Sequence, residues 1–148
     1  MSVTMQQLVD IAPLAKSRIP KFLDALNETL LEYNIDTDLR VAAFLAQLLH
    51  ESGQFRYVRE LASGEAYEGR ENLGNTEVGD GKRYKGRGLI QITGRGNYTA
   101  LASALNIDCL NKPEVLEEPI NACRSAGWFW KVNNLAKWAD IGDIDGVS

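Results

Sequence analysis

One histidine and two cysteines among 148 residues, set far apart, make no metal-binding pattern, so no metal or other cofactor is expected. No run approaches the roughly twenty apolar residues that span a bilayer, which argues against stable membrane insertion. The first twenty residues, MSVTMQQLVDIAPLAKSRIP, lack a basic start followed by an apolar stretch and a small-residue cleavage site. No secretory leader is read there, and the expected place of synthesis is a cytoplasm. In such a reducing compartment Cys109 and Cys123 read as two buried thiols rather than a disulfide. A formal net charge of −4 gives no footing for bulk nucleic-acid binding. Linkers, repeats and low-complexity segments are also missing.

What is present is an ordinary globular composition, 45% hydrophobic and 24% charged, long enough for one self-standing domain over residues 1–148. From Pro20 to Tyr33 the residues Phe22, Leu23, Leu26, Leu30 and Leu31 recur at helical steps behind a proline suited to a first turn. Asp36 and Thr37 are capping candidates for a second helix over 38–49 that is apolar almost all round and belongs at the centre of a domain. Residues 52–97 turn polar and rich in Gly, Arg, Tyr, Asn and Glu, with a short β-like patch at Gly88–Thr93. Helical pattern returns at Asn97–Asn106 and from Pro119 to about Trp138. Helices, a polar insertion, then helices predict a mainly α, α+β single domain with two lobes, one helical and one a small β or loop lobe, and a cleft between them.

The chemistry-bearing candidates sit at the start of that insertion. Glu51 closes the central helix, where burial and the negative end of the helix dipole would both favour a protonated carboxyl, as a general acid requires. Position alone fits the solvent-exposed end of a helix equally well. Ser52-Gly53 is a helix stop, and the chain can then fold back to bring Glu60 toward Glu51. Glu65, Glu68 and Glu71 have the same freedom. Residues 81–99 carry five cations, Lys82, Arg83, Lys85, Arg87 and Arg95, and no acid. Their partner is the glutamates of residues 51–71, the carboxylates of an anionic polymer, or phosphate. Glycines 86, 88, 94 and 96 have neither Walker nor dinucleotide spacing, so a nucleotide site is not expected. Gln91, Thr93, Asn97 and the tyrosines Tyr57, Tyr67, Tyr84 and Tyr98 suit sugar binding, and serve equally well as loop-stabilising residues.

Three segments, in order, resemble a known family: Ala43-Phe44-Leu45-Ala46-Gln47-Leu48-Leu49-His50-Glu51-Ser52-Gly53, then Glu60, then the run Tyr84-Lys85-Gly86-Arg87-Gly88-Leu89-Ile90-Gln91-Ile92-Thr93-Gly94-Arg95-Gly96-Asn97-Tyr98. Together they look like the family 19 glycoside hydrolases, the chitinase-like enzymes, over residues 35–146. Tyr67-Glu68-Gly69-Arg70 and Leu73-Gly74-Asn75-Thr76 look like the intervening segment of the short bacterial and phage endolysins. The resemblance implies a lysozyme-like fold, with Glu51 as general acid, Glu60 as general base and Thr93 helping to hold the attacking water. His50, Tyr57, Arg87, Gln91, Asn97 and Tyr98 become the candidate substrate contacts. An inverting mechanism is implied, with carboxyl groups roughly 6.5–9.5 Å apart.

The substrate that follows is peptidoglycan, cut between N-acetylmuramic acid and N-acetylglucosamine, with chitin hydrolysis or non-catalytic wall binding as alternatives. A monomer residing in the host bacterial cytoplasm would reach the wall after a separate holin permeabilises the membrane. Relatives usually continue past Asp145-Gly146-Val147-Ser148 into a further helix bearing an Asn-Gly-Gly-like motif, so a chain truncated there is expected to lack part of the cleft wall.

Overall fold

The computed structural model describes residues 2–142. The expectation about the chain beyond Asp145 concerns positions outside the described residues.

Apolar periodicity does not announce the first helix, α1 (Met5–Ile11). Its signal is a capping box: the Thr4 side chain accepts from Gln7 N–H while the Gln7 side chain accepts from Thr4 N–H. Helix α2 (Ile19–Glu32) begins with Pro20 in its first turn and buries Ile19, Phe22, Leu26, Thr29 and Leu30, a stripe at helical spacing. Helix α3 (Asp38–Glu51) is capped by Thr37, whose side chain accepts from Arg40 N–H, and ends at Glu51, just before the expected Ser52-Gly53 stop. It is not wrapped on all sides. Val41, Ala43, Phe44, Leu45 and Leu48 face inward, while Leu39 is 52% exposed and Ala42 and Ala46 face solvent.

After α3 the chain makes two single turns, Glu65–Tyr67 and Glu71–Leu73, and a four-residue helix α4 (Asp80–Arg83). Helix α5 (Arg95–Leu105) follows and ends on Asn106, which takes the left-handed conformation common just past a helix end. The long C-terminal helix read from periodicity is two helices, α6 (Pro119–Val132) and α7 (Leu135–Asp140). The break falls at Asn133-Asn134, with Asn134 at φ 53°, a conformation Asn tolerates and a continuing helix does not.

The β-like patch at Gly88–Thr93 forms no strand. Among the described residues the extended pairing is two isolated antiparallel bridges, Arg59 with Arg87 and Arg87 with Ile92. Gly88 and Gln91 both adopt positive φ, so the chain closes into a tight turn in which Arg87 and Ile92 exchange both backbone hydrogen bonds. A segment that folds on itself within six residues has no length left to pair as a sheet.

Two cores result. One gathers Leu8, Phe22, Leu26, Phe44, Leu48 and Trp130, with the Phe44 and Trp130 rings edge to face at 5.6 Å. The other gathers Tyr84, Ile92, Tyr98, Leu101, Leu105 and Leu116. Tyr33, Ile90 and Phe129 pack against both, so α6 is shared between the lobes. The architecture is mainly helical and lysozyme-like. Cys109 and Cys123 are free and buried, and burial pushes their thiols up to about 11 and about 12.

The α2–α6 contact depends on one missing side chain. A Cβ at Gly127 would lie 2.4 Å from Cδ2 of Tyr33 and 2.7 Å from Cγ2 of Thr29, and Thr29 is fully buried. Gly127→Ala is therefore expected to destabilise the fold by about 1–3 kcal/mol despite its gain in helix propensity. Urea denaturation would read this as a lower midpoint, and an unchanged or raised midpoint would contradict the packing.

Candidate active site

Glu51 is the last residue of α3. The core-facing stripe of that helix ends at Leu48, one turn earlier, so Glu51 is exposed rather than buried as the helix pattern suggested. Among the described residues its carboxyl group has no hydrogen-bond or ion-pair partner, so it is free to meet a ligand. His50 beside it is also exposed.

The chain reverses immediately afterwards. Gly53, Gln54 and Phe55 stand at φ of 59°, 59° and 65°, three left-handed residues in succession. Gln54 and Phe55 each cost about 1–2 kcal/mol in that conformation. The turn persists because its surroundings over-determine it. Buried Ser52 accepts from Phe55 N–H through its Oγ at 2.9 Å, and Gln54 N–H donates to Leu49 O at 2.8 Å. Arg18 Nε donates to Gln54 O at 3.0 Å, and the buried Phe55 ring stacks on Phe22 at 5.2 Å. Tyr57, half-buried, has the Arg56 guanidinium 5.9 Å from its ring centroid.

That reversal delivers residues 58–60 alongside 86–88. Gly88 N–H donates to Val58 O at 2.8 Å, and Glu60 N–H donates to Gly86 O at 2.9 Å. The Glu60 side chain is held as firmly as its backbone. Oε1 accepts from Gly86 N–H at 2.6 Å, and Oε2 accepts from the Tyr67 hydroxyl at 3.1 Å. Burial first, and the bond to Glu60 second, raise the Tyr67 hydroxyl above its ordinary range, so it remains a donor at neutral pH. Of the glutamates that the spacing left open, Glu60 is the one so placed. Glu68 instead accepts from the backbone N–H groups of Gly79 and Gly81, and Glu65 pairs with Lys82 at the surface.

Gly86 has a steric role too, since a Cβ there would sit 2.8 Å from Gln91 Oε1 and 3.4 Å from Glu60 Oε1. Gln91 thus flanks the carboxylate, with its Nε2 tied to Gly88 O. Thr93 Oγ1 donates to Gln91 O at 2.9 Å, and Asn97 Nδ2 donates to Thr93 O at 2.8 Å. Gln91, Thr93 and Asn97 line a cleft of about 320 Å³ together with Leu73, Trp128 and Asn133. Sequence reasoning missed Trp128 and Asn133, because a Trp-Phe-Trp run on a helix reads as core, and Asn133 stands at the helix break that goes with the left-handed Asn134. The role of Tyr67 was legible only as one aromatic among several.

The cationic run is largely spent inside the protein. Arg95 makes bonds of 2.8 Å to both oxygens of buried Asp80, also reaches Glu77, and lies 5.0 Å from the Tyr84 ring centroid. Arg87 pairs with Glu117 at 3.0 Å and donates to Arg83 O and the Tyr98 hydroxyl. Arg83 donates to the carbonyls of Leu110 and Asn111, Lys85 to Ala62 O. Tyr84 and Tyr98 are buried at 1% and 0% exposure. Arg87 and Tyr98, candidates for substrate contact, are thus placed as interior struts beneath the 86–92 turn and not on the cleft surface. Neither Glu51 nor Glu60 lines that 320 Å³ cleft, and a larger hollow of about 800 Å³ beside Arg83, Arg95 and Asn111 contains none of Glu51, Glu60 and Thr93.

No group of three or more His, Cys, Asp or Glu side chains is placed to hold a metal among the described residues. An exposed carboxyl at a helix end, a second one gripped from two sides, and a hydroxyl and amides along an adjoining cleft are the parts that acid-base cleavage of a glycosidic bond needs.

Comparison with known proteins agrees. The model of a family described as chitinase class I, glycoside hydrolase family 19, matches residues 33–143. A glycosyl hydrolase family 19 domain-containing protein of Haemophilus influenzae is 33% identical over 138 residues, covering 72% of this chain and 68% of that protein. Basic endochitinase CHB4 of Brassica napus is 34% identical over 132 residues, covering 85% of this chain and 49% of that protein. The chain spans about a third to a half of the length of the plant endochitinases it matches. The crystal structure of chitinase C from Streptomyces griseus superposes with a TM-score of 0.68 at 26% identity, over 86% of this chain and 54% of that one. With three quarters of its length matched by the family model, this chain belongs to glycoside hydrolase family 19.

Proposed function

We propose that this chain hydrolyses a β-1,4-linked, N-acetylglucosamine-containing polysaccharide with inversion at the anomeric carbon, and that the polymer is bacterial peptidoglycan. The observation that carries the reading is the unlike treatment of two carboxyl groups: Glu51 exposed at a helix terminus and Glu60 held by Gly86 N–H and the Tyr67 hydroxyl. In the reaction Glu51 gives its proton to the glycosidic oxygen as the bond breaks. Glu60, with Thr93, takes a proton from a water that attacks the opposite face of the sugar, and an oxocarbenium-like transition state lies between. Gln91 and Asn97, on the cleft wall, are suited to the hydroxyl and acetamido groups of the sugar.

Peptidoglycan is favoured over chitin by the resemblance to short bacterial and phage members. The internal pairing of the 82–95 cations removes the need for an anionic polymer as their partner, so charge does not distinguish the two substrates. On this reading the protein is a monomeric endolysin that waits in the host cytoplasm and reaches the wall once a holin opens the membrane. A chitinase is the second reading, favoured by the endochitinase names of the plant relatives.

Mass analysis of the products released from purified sacculi separates the two. Muropeptides with a new reducing N-acetylmuramic acid end, made by the unaltered chain and not by Glu51→Gln, are expected. Cleavage of chitin hexamer with intact sacculi would decide for a chitinase, and binding to sacculi without new reducing ends would defeat the hydrolase reading.

A further inference from the structure

We propose that Tyr67 is a positioning residue for the reaction, holding the Glu60 carboxyl group at the angle from which it meets the attacking water; this rests on the hydrolase reading above. Glu60 stands on a segment joined to 86–88 by one isolated bridge, Arg59 with Arg87, and not by a sheet, so its backbone alone does not lock its side chain. Gly86 N–H fixes one carboxylate oxygen. Rotation about that bond is stopped by the second donor, the Tyr67 hydroxyl on Oε2.

Tyr67 is itself anchored on both sides. Its N–H donates to Gly64 O, and its carbonyl accepts from Asn75 Nδ2 at 2.9 Å. Asn75 is buried, and its Oδ1 accepts from Arg95 N–H at 2.8 Å at the start of α5. Gly64 packs so closely on α4 that a Cβ there would stand 2.4 Å from Gly81 O. The 64–75 loop is thereby pinned to α4 and α5, and the hydroxyl at its inner edge carries that rigidity to Glu60. The effect is on orientation, so it belongs to turnover and not to substrate affinity.

Steady-state kinetics on sacculi and on chitin hexamer test this with the full chain and the variants Tyr67→Phe, Glu60→Gln and both together. Tyr67→Phe keeps the ring and the loop, so its melting temperature is expected to match that of the unaltered chain. Its kcat should fall by roughly ten- to a hundredfold with KM little changed. In the double variant the loss should be no greater than in Glu60→Gln alone, since a residue acting through Glu60 has nothing to act on once that carboxylate is gone. Full activity in Tyr67→Phe beside an inactive Glu60→Gln would overturn the positioning role alone, as would losses that multiply in the double variant or a rise in KM at constant kcat. Turnover retained by Glu60→Gln would overturn Glu60 as the base and this inference with it, while turnover absent from the unaltered chain on both polymers would overturn the hydrolase reading as well.

Discussion

Glu51→Gln and Glu60→Gln are each expected to lower the turnover number by two to four orders of magnitude while leaving the melting temperature within a degree or two of the unaltered chain. The magnitude is what a positioned acid or base contributes. Stability is spared at Glu51 because the side chain is exposed and has no partner among the described residues to lose. At Glu60 the amide still presents an oxygen to Gly86 N–H or to the Tyr67 hydroxyl, so the local hydrogen bonding survives the loss of charge. Proton NMR of freshly released product checks the other half of the expectation: inversion yields the α-anomer first from a β-linked polymer. A β-anomer appearing first would reject the assignment of Glu60 as base to a water, because retention requires a covalent intermediate.

The largest expected effect on stability lies elsewhere, at Asp80. Its carboxylate is 1% exposed and receives two bonds from the Arg95 guanidinium and one from Glu77 N–H. The Arg95 bonds are the main reason that the carboxyl sits below the ordinary aspartate range. Removing one partner of a buried pair leaves the other uncompensated, and Asp80→Asn is expected to cost about 3 kcal/mol at pH 7, on the order of 10 °C in melting temperature for a chain of this size.

The sign of the pH dependence follows from the same pair. A carboxyl whose folded value is depressed contributes stability above its unfolded value, near 3.8, and loses that contribution as pH falls through the folded value. The gap in melting temperature between the unaltered chain and Asp80→Asn should therefore be widest at neutral pH and narrow below about pH 4. Thermal scans over pH 2–7 measure it, and a gap that stays constant or widens in acid would contradict the pairing. Because Arg95 also holds Asn75, loss of Asp80 should weaken the grip on the loop that carries Tyr67.

Much of this was legible along the chain. The stripe in α2 and the Thr37 cap of α3 were, because apolar spacing and capping chemistry are local properties. The identity of the two glutamates came from motif order and not from physics, since nine residues of loop permit many geometries and Glu65, Glu68 and Glu71 were equally free. Two local readings failed for local reasons: Gly88–Thr93 looked extended and is a turn, because Gly88 and Gln91 take positive φ, and the last helix breaks at Asn134 for the same cause.

Glu51, the end of α3 and the stop at Ser52-Gly53 were thus determined by the sequence itself, through helix propensity and the left-handed freedom of glycine. Only the tertiary structure decided that Glu51 is exposed, that the five cations of the 82–95 run are consumed by Asp80, Glu77, Glu117, Glu65 and backbone carbonyls, and that Glu60 is gripped by Gly86 and Tyr67. Each of those facts depends on segments that meet only in the folded chain. Burial and hydrogen-bond partnership are set by what the rest of the molecule brings to a residue, a quantity that no local pattern contains.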